Sequence, residues 1–99
     1  MELKGARILV TGGSRGIGAA LARAYAAEGA EVVVAARSVV DLQVVADEVG
    51  GHAVVIDLSD PAAVEGLVPG VDADLGPIDV LVNNAGAETT DMAAVISPA

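Results

Sequence analysis

Four short apolar runs recur along the chain, and longer segments with helical spacing of apolar residues separate them. Continuous runs rich in Val, Ile and Leu are typical of strands that are buried on both faces of a sheet. We predict strands at about 7–11, 32–36, 53–57 and 78–83. Because each strand is followed by a helix-like segment, the pattern predicts an α/β domain with a parallel sheet and crossover helices.

The first two helices carry apolar stripes and end signals. Gly29 stands where the C-cap glycine of the first helix belongs, and Ser38 with Asp41 forms a capping-box-like start for the second, which ends near Gly50-Gly51. The predicted stripe of the first helix is Ile17, Ala20, Leu21, Ala24 and Ala27. The predicted stripe of the second helix is Leu42, Val45, Ala46 and Val49.

The third helix is predicted to begin at Ser59-Asp60-Pro61, with an N-cap followed by a proline in the first turn. Pro69-Gly70 falls inside this segment, so we expect a break or kink there, since an interior proline costs about 3 kcal/mol of helix stability. Ser97-Pro98 is a further helix-start signal close to residue 99. We therefore expect the domain to be truncated at its C-terminus.

Composition and charge narrow the classes of partner. The 99 residues carry a formal charge of −9 and only five Lys and Arg, which argues against a nucleic-acid partner. Cysteine is absent and there is one histidine, His52, which we interpret as a surface residue, so neither a disulfide nor a metal site is expected. The sequence has no signal-peptide pattern and no apolar run of membrane-spanning length, which favours the cytoplasm and no membrane partner.

The segment Thr11 to Gly18, TGGSRGIG, places four glycines between the first strand and the first helix. A phosphate that approaches the main chain needs residues without Cβ, free N–H groups and the positive end of a helix dipole. Gly12 would permit the tight turn, Gly16 the approach of a pyrophosphate, and Gly18 close packing of the helix. An ordinary glycine-rich turn is the alternative, whereas a Walker-type loop is excluded because no Gly-Lys-Ser/Thr follows.

The second strand bears on the choice between NAD and NADP. An acidic residue about 20 positions beyond the loop would bind the ribose 2′-hydroxyl of NAD, but the strand ends in Ala35-Ala36 and Arg37 follows. Arg37 and Arg15 could together bind a 2′-phosphate through charge-assisted hydrogen bonds. NADP is therefore favoured over NAD, although either arginine alone could be a solvated surface residue.

These residues carry a resemblance to a known family. Thr11-Gly12-x-x-x-Gly16-x-Gly18 resembles the cofactor loop of the short-chain dehydrogenase/reductase family, and Asn83-Asn84-Ala85-Gly86 is similar to its second signature. The resemblance covers essentially the whole chain. It implies a single NAD(P)-binding domain over residues 1–99, with a Rossmann-type, doubly wound parallel sheet of strand order 3-2-1-4.

The resemblance also implies which residues bind the cofactor. Asp57 and Leu58 would face the adenine, and Asn83, Ala85 and Gly86 would line the groove. The alternative for Asp57 is a capping carboxylate, and for Asn83 and Asn84 a turn stabilised by their side chains. The complete implied set is Gly12, Ser14, Arg15, Gly16, Ile17, Gly18, Arg37, Asp57, Leu58, Asn83, Ala85 and Gly86.

Catalytic residues are not expected in this chain. Family members transfer hydride to carbonyls or from secondary alcohols with a tyrosine as proton donor and a lysine four residues later, which lowers the pKa of the phenol. The single tyrosine, Tyr25, is followed four residues later by Gly29, and the single lysine is Lys4. We interpret Tyr25 as a helix residue that covers apolar surface, and we expect the chain to be inactive alone.

Two main functions remain open. The chain is either the N-terminal, cofactor-binding part of an NADP-dependent short-chain oxidoreductase or a non-catalytic module that binds NADP or a partner protein. Binding of another adenine-containing ligand by the glycine segment is a third alternative. In either case the fourth strand is expected to lie at an exposed apolar edge, which predicts marginal stability and self-association through that strand.

Overall fold

The computed structural model describes residues 3–12, 14, 16–84 and the strand at 93–96. Strands and helices alternate along most of the chain, as the apolar pattern predicts. In chain order they are β1 (Arg7–Thr11), α1 (Gly16–Ala27), β2 (Glu31–Ala36), α2 (Val39–Val49), β3 (His52–Val55), α3 (Pro61–Leu75), β4 (Val80–Asn83) and β5 (Ala93–Ile96).

The five strands form one sheet of order β3-β2-β1-β4-β5. The first four are parallel and follow the predicted order 3-2-1-4, which confirms the α/β, Rossmann-like fold. Thr11, at the end of β1, lies opposite Ala35 of β2 and Asn83 of β4. The carboxyl ends of the three central strands are therefore level, and the loops that follow them meet at one edge of the sheet.

The edge beyond β4 differs from the expectation. β5 pairs with β4 in antiparallel register, with Val80 opposite Ile96 and Asn83 opposite Ala93. The expectation of an exposed fourth strand is therefore wrong, and so is the premise for self-association through it, because the main-chain groups of β4 find partners in β5. The apolar pattern predicted no strand beyond residue 83, so a partner for β4 was not expected.

The core consists of two layers on opposite faces of the sheet. On one face α1 and α2 cover Ile8, Val10, Val32 and Val34, all of which are fully or almost fully buried. On the other face Leu67 and Val71 of α3 pack against Leu9, Val33 and Ile78. Alternate residues of the buried strands thus face different helices, which explains why the strand centres are apolar at consecutive positions.

Helix α1 turns a different side to the sheet from the predicted one. Its buried residues are Gly18, Ala19 and Ala22, whereas Ile17 is 56% exposed. Alanine occupies almost every side of this helix, so the spacing of apolar residues does not determine which side faces the sheet. The close contacts of Gly18 determine it. In α2, by contrast, Leu42, Val45 and Ala46 are buried as predicted, and the charged Asp47 and Glu48 lie on the exposed side together with Val40 and Val44.

The helix ends follow their signals in part. Gly50 ends α2 with φ 62°, but Ser38 stands at the N-cap of α2 without a side-chain capping bond. Asp60 caps α3 through a hydrogen bond from the Ala62 N–H, and Pro61 follows as predicted. Of the break or kink expected at Pro69, the break is wrong, because α3 is continuous through this residue. Pro69 is exposed, so water can bind the carbonyl that a proline cannot satisfy.

Polar contacts fasten the N-terminal ends of the strands. The Arg7 N–H donates to Asp79 Oδ2 at 2.8 Å, and the Asp79 N–H donates back to the Arg7 carbonyl at 2.9 Å. The Arg7 guanidinium donates to the Pro77 carbonyl at 2.8 Å and lies 2.6 Å from Glu31, an ion pair whose N–H is not aligned for a hydrogen bond. These contacts fix the register of β4 against β1 and thereby the position of Asn83 and Asn84.

Within the described ranges, no helix is both long enough and apolar enough to cross a membrane.

Candidate cofactor-binding site

The candidate site lies where the chain reverses its direction of travel across the sheet. From β1 the chain proceeds through β2 to β3, and it then returns to place β4 on the other side of β1. In open α/β sheets, such a point leaves a crevice outside the carboxyl ends of the strands, between the loops that diverge. Here the crevice is bordered by the glycine segment after β1 and by Asn83 and Asn84 at the end of β4.

The glycine segment adopts conformations that need glycine. Gly12 and Gly16 have φ of 67° and 62°, in the left-handed region that other residues avoid. A Cβ on Gly18 would lie 2.2 Å from the Gly12 carbonyl oxygen and 2.7 Å from Asn84 Nδ2, so no side chain fits there. A Cβ on Gly16 would meet nothing within 4 Å. The main chain at the start of α1 is therefore open to an approaching group.

The start of α1 suits an anion. Gly16 is the first residue of the helix, and the first turn contains no acidic side chain. The N–H groups of the first turn have no partner within a helix, and they carry the positive end of its dipole. A dinucleotide pyrophosphate fits this open, uncompensated helix start, because the glycines leave room for its oxygens to approach the main chain.

Thr11 and the two asparagines connect the glycine segment to β4. The buried Thr11 hydroxyl accepts a hydrogen bond from the Asn84 N–H at 3.0 Å and lies 3.1 Å from Asn83 Oδ1. Asn84, which is 4% exposed, directs its Nδ2 to the Gly12 carbonyl at 3.4 Å. These bonds join β4 to β1 across more than 70 residues, so they are not the local bonds of a turn that was the alternative interpretation of the asparagines. The predicted set contained Asn83 but neither Thr11 nor Asn84.

Arg37 and Asp57 lie at the ends of neighbouring strands. Arg37 directly follows β2, is exposed, and takes part in none of the ion pairs formed by the described residues. Asp57 Oδ1 accepts hydrogen bonds from the Ser59 hydroxyl at 2.6 Å and the Ser59 N–H at 3.0 Å. These two bonds lower the pKa of Asp57; desolvation opposes them, and the charge of Arg37 lowers it further. Asp57 therefore stabilises the turn before α3.

A cleft of about 350 Å³ opens beside these residues on the α3 side of the sheet. Leu58 and Asn83 line it, as does Thr11, so two of the predicted residues share one cavity. Its remaining walls are apolar: Val64, Leu67, Val68 and Leu81. A mostly apolar cleft with a few polar groups is typical of ligand sites. The sequence could not identify Val64 and Val68 as wall residues, because their spacing equally fits a helix face covered by protein.

The remaining predicted residues are placed as follows. Ser14 is half-buried in the glycine segment, and Ile17 projects from the first turn of α1. Arg15, Ala85 and Gly86 lie outside the described residues. The hydrophobic part of Tyr25 packs on the core layer under α1, and among the described residues no cluster of side chains could ligate a metal ion. His52 begins β3 and lies 3.3 Å from Glu31.

Known proteins resemble this chain in both sequence and structure. The family model described as short chain dehydrogenase matches residues 6–99. The 3-oxoacyl-[acyl-carrier-protein] reductase FabG of Escherichia coli is 42% identical over 88 residues, which cover 87% of this chain and 36% of that protein. Gluconate 5-dehydrogenase of Gluconobacter oxydans is 44% identical over 92 residues, with 88% and 36% covered.

A solved structure extends the comparison to the fold. A short chain dehydrogenase from Bacillus anthracis superposes with a TM-score of 0.75 at 31% identity, over 84% of this chain and 35% of that one. The chain thus spans about a third of the length of the relatives it matches. Because the match reaches from the start of β1 to residue 99, the chain belongs to the short-chain dehydrogenase family.

Proposed function

We propose that this chain binds NADP at the carboxyl ends of β1, β2 and β4, and that it is the cofactor-binding part of an NADP-dependent oxidoreductase. Membership of the short-chain dehydrogenase family supports a dinucleotide cofactor. The single sheet supports one domain over residues 1–99. The relatives named as a reductase and a dehydrogenase support hydride transfer involving a carbonyl or a secondary alcohol in the intact protein.

The observation that carries this proposal is the open helix start above the glycine segment. Gly18 brings α1 against the Gly12 carbonyl, while no atom of the described residues lies within 4 Å of a Cβ placed on Gly16. The first turn of α1 contains no acidic side chain that would oppose an anion. The proposed role of Gly12, Ser14, Gly16, Ile17 and Gly18 is therefore to bind the pyrophosphate and to hold it against the end of the helix. Arg15 is proposed to bind the 2′-phosphate together with Arg37.

The preference for NADP depends on the end of β2. An acidic residue there would hydrogen-bond the ribose 2′-hydroxyl of NAD and repel a 2′-phosphate. Here the strand ends in Ala35 and Ala36. Arg37 is exposed, and it forms no ion pair with a carboxylate of the described residues. Arg37 is positioned to bind a 2′-phosphate in the bidentate manner that guanidinium groups favour.

The residues of this chain are proposed to bind the cofactor and not to carry out the chemical step. The bound cofactor supplies or accepts the hydride. Leu58 and the apolar cleft would exclude water from the adenine, and Asn83, Ala85 and Gly86 would line the path towards the nicotinamide. The sequence contains no Tyr-x-x-x-Lys pair that could donate the proton, so we expect binding without turnover.

The proposal is tested by titrating the purified chain with NADPH and with NADH while following nucleotide fluorescence. We expect Arg37→Ala to weaken NADPH binding by roughly 10- to 100-fold, since hydrogen bonds to a charged group contribute about 1.5–3 kcal/mol. NADH binding should hardly change, because NADH has no 2′-phosphate.

Arg23→Ala is the matched control. Arg23 lies on α1, where it pairs with Glu48 of α2 at 3.0 Å, and its loss removes the same charge away from the site. Equal weakening of NADPH by both arginine variants would contradict a specific role for Arg37. A folded chain that binds neither nucleotide would contradict the proposed function itself.

A further inference from the structure

Asp57 lies close to the position where the 2′-phosphate of NADP would meet Arg37. β2 and β3 are paired with Ala36 opposite Val55, and the Ile56 N–H donates to the Ala36 carbonyl at 2.9 Å. Arg37 and Asp57 are thus the next residues beyond the last contacts of two adjacent strands, which lie about 4.8 Å apart in any sheet. Both residues are exposed.

The carboxylate of Asp57 is held in place. Two hydrogen bonds from Ser59 converge on Oδ1, at 2.6 Å and 3.0 Å, so the side chain cannot rotate without breaking both. These bonds and the charge of Arg37 lower the pKa of Asp57, so the group is ionised at neutral pH. A fixed negative charge therefore stands beside the one exposed cation at the ends of β2 and β3.

We infer that Asp57 is a specificity-determining residue, whose fixed negative charge opposes the 2′-phosphate and limits the preference for NADPH over NADH. This inference rests on the proposed function. A 2′-phosphate in contact with Arg37 would lie near the end of β3, and the charge of an exposed carboxylate there acts over about a Debye length, roughly 8–10 Å at ordinary ionic strength. Arg37 and Asp57 thus act on the same phosphate with opposite sign.

A ratio of two affinities isolates this effect from any other role of Asp57. NADH and NADPH have the same adenine, pyrophosphate and nicotinamide, and they differ only in the 2′-phosphate. If Asp57 also contacts the adenine, the loss of that contact weakens both nucleotides equally and cancels in the ratio. The effect of the Asp57 charge on the pyrophosphate is common to both nucleotides, whereas its effect on the 2′-phosphate changes the affinity for NADPH alone.

The test compares Asp57→Asn with the unaltered chain, using NADPH and NADH as the probes. Asparagine keeps the shape of the side chain and an oxygen for the Ser59 donors, so the turn before α3 is preserved. We expect the ratio of the two dissociation constants to shift towards NADPH by about three- to tenfold at low salt, from Coulomb's law for charges several ångströms apart near a surface. The shift should shrink at 0.3 M salt.

Asp72→Asn is the matched control. Asp72 is exposed near the C-terminal end of α3, so its neutralisation changes the net charge equally but at another place. A shift in the ratio for Asp57→Asn and not for Asp72→Asn supports the inference. An unchanged ratio in both variants, or an equal shift in both, overturns it while leaving the proposed function intact. If the unaltered chain binds neither nucleotide, the proposed function fails and this inference fails with it.

Discussion

At the scale of single residues, the site depends on the absence of a side chain at Gly18. Gly18 was predicted to let the first helix pack closely, and the contact that requires it is now defined: its α-carbon faces the Gly12 carbonyl and the amide of Asn84. The start of α1 therefore packs against the ends of β1 and β4. Gly16 differs, because its own Cβ would meet nothing and only its φ of 62° favours glycine.

We predict that Gly18→Ala destabilises the chain by about 1–3 kcal/mol, as overpacking of a close contact does, and also weakens NADPH binding. The added methyl would lie 2.2 Å from the Gly12 oxygen, so the glycine segment has to move. Urea denaturation with and without NADPH measures both effects.

The matched control is Gly66→Ala in α3, where a Cβ meets nothing within 4 Å and φ is not positive. This variant should leave binding unchanged and stabilise the helix by up to about 1 kcal/mol. Similar losses of stability in the two variants would show that the contact of Gly18 has no particular importance.

Asn84 was not among the cofactor-binding residues predicted from the sequence. The motif pointed to Asn83 as the groove residue, and the structure places Asn83 at the surface and Asn84 in the interior. The period of two along β4 could have indicated which asparagine points inward, since Val80 and Val82 are buried. The partners of Asn84, Thr11 and Gly12, are more than 70 residues away in the chain, and no local pattern identifies them.

At the scale of elements, the buried side of a helix was predictable only where polar residues are distributed unevenly around the helix. Helix α2 carries charged residues on one side only, so its buried stripe could be read from spacing. Helix α1 is rich in alanine on all sides, so its existence was predictable but its rotation was not. Helix α3 shows that a burial pattern can outweigh a breaker: Leu67 and Val71, on either side of Pro69, are both anchored in the core.

We predict that Pro69→Ala raises the free energy of unfolding by about 1–3 kcal/mol. Alanine restores the main-chain hydrogen bond that proline lacks in the helix interior and relieves the ring's contact with the preceding turn. Part of this gain is offset by about 0.4–1 kcal/mol, because the unfolded chain becomes more flexible. Thermal or urea denaturation provides the measurement.

Pro61→Ala is the corresponding control, since the first helical position has no hydrogen bond to lose. That change should have little effect or a slightly unfavourable one. A fall in stability on Pro69→Ala would mean that the proline supports α3 in a way that its position in the helix does not explain.

At the scale of the whole molecule, the order of four strands was implied by the family resemblance, and the fifth strand was not predicted. The alternation of strands and helices by itself predicted a parallel sheet with crossover helices. The pairing of Ala93–Ile96 with β4 is a long-range choice, and a short apolar run such as this fits a helix and a strand equally well. Substrate preference likewise could not be derived, since the chain spans about a third of its relatives.

The central claim is that the glycine segment, Arg37 and the ends of β1 and β4 form one dinucleotide site. It is tested most directly by titrating the ¹⁵N-labelled chain with NADPH and mapping the amide chemical shifts that change. We predict the largest changes at Gly16, Ile17, Gly18, Arg37 and Asn84, and small ones at the Arg7 and Asp79 amides at the opposite end of the sheet. Changes centred on the outer edge of β3 and the exposed side of α3, with the glycine segment unaffected, would contradict the account.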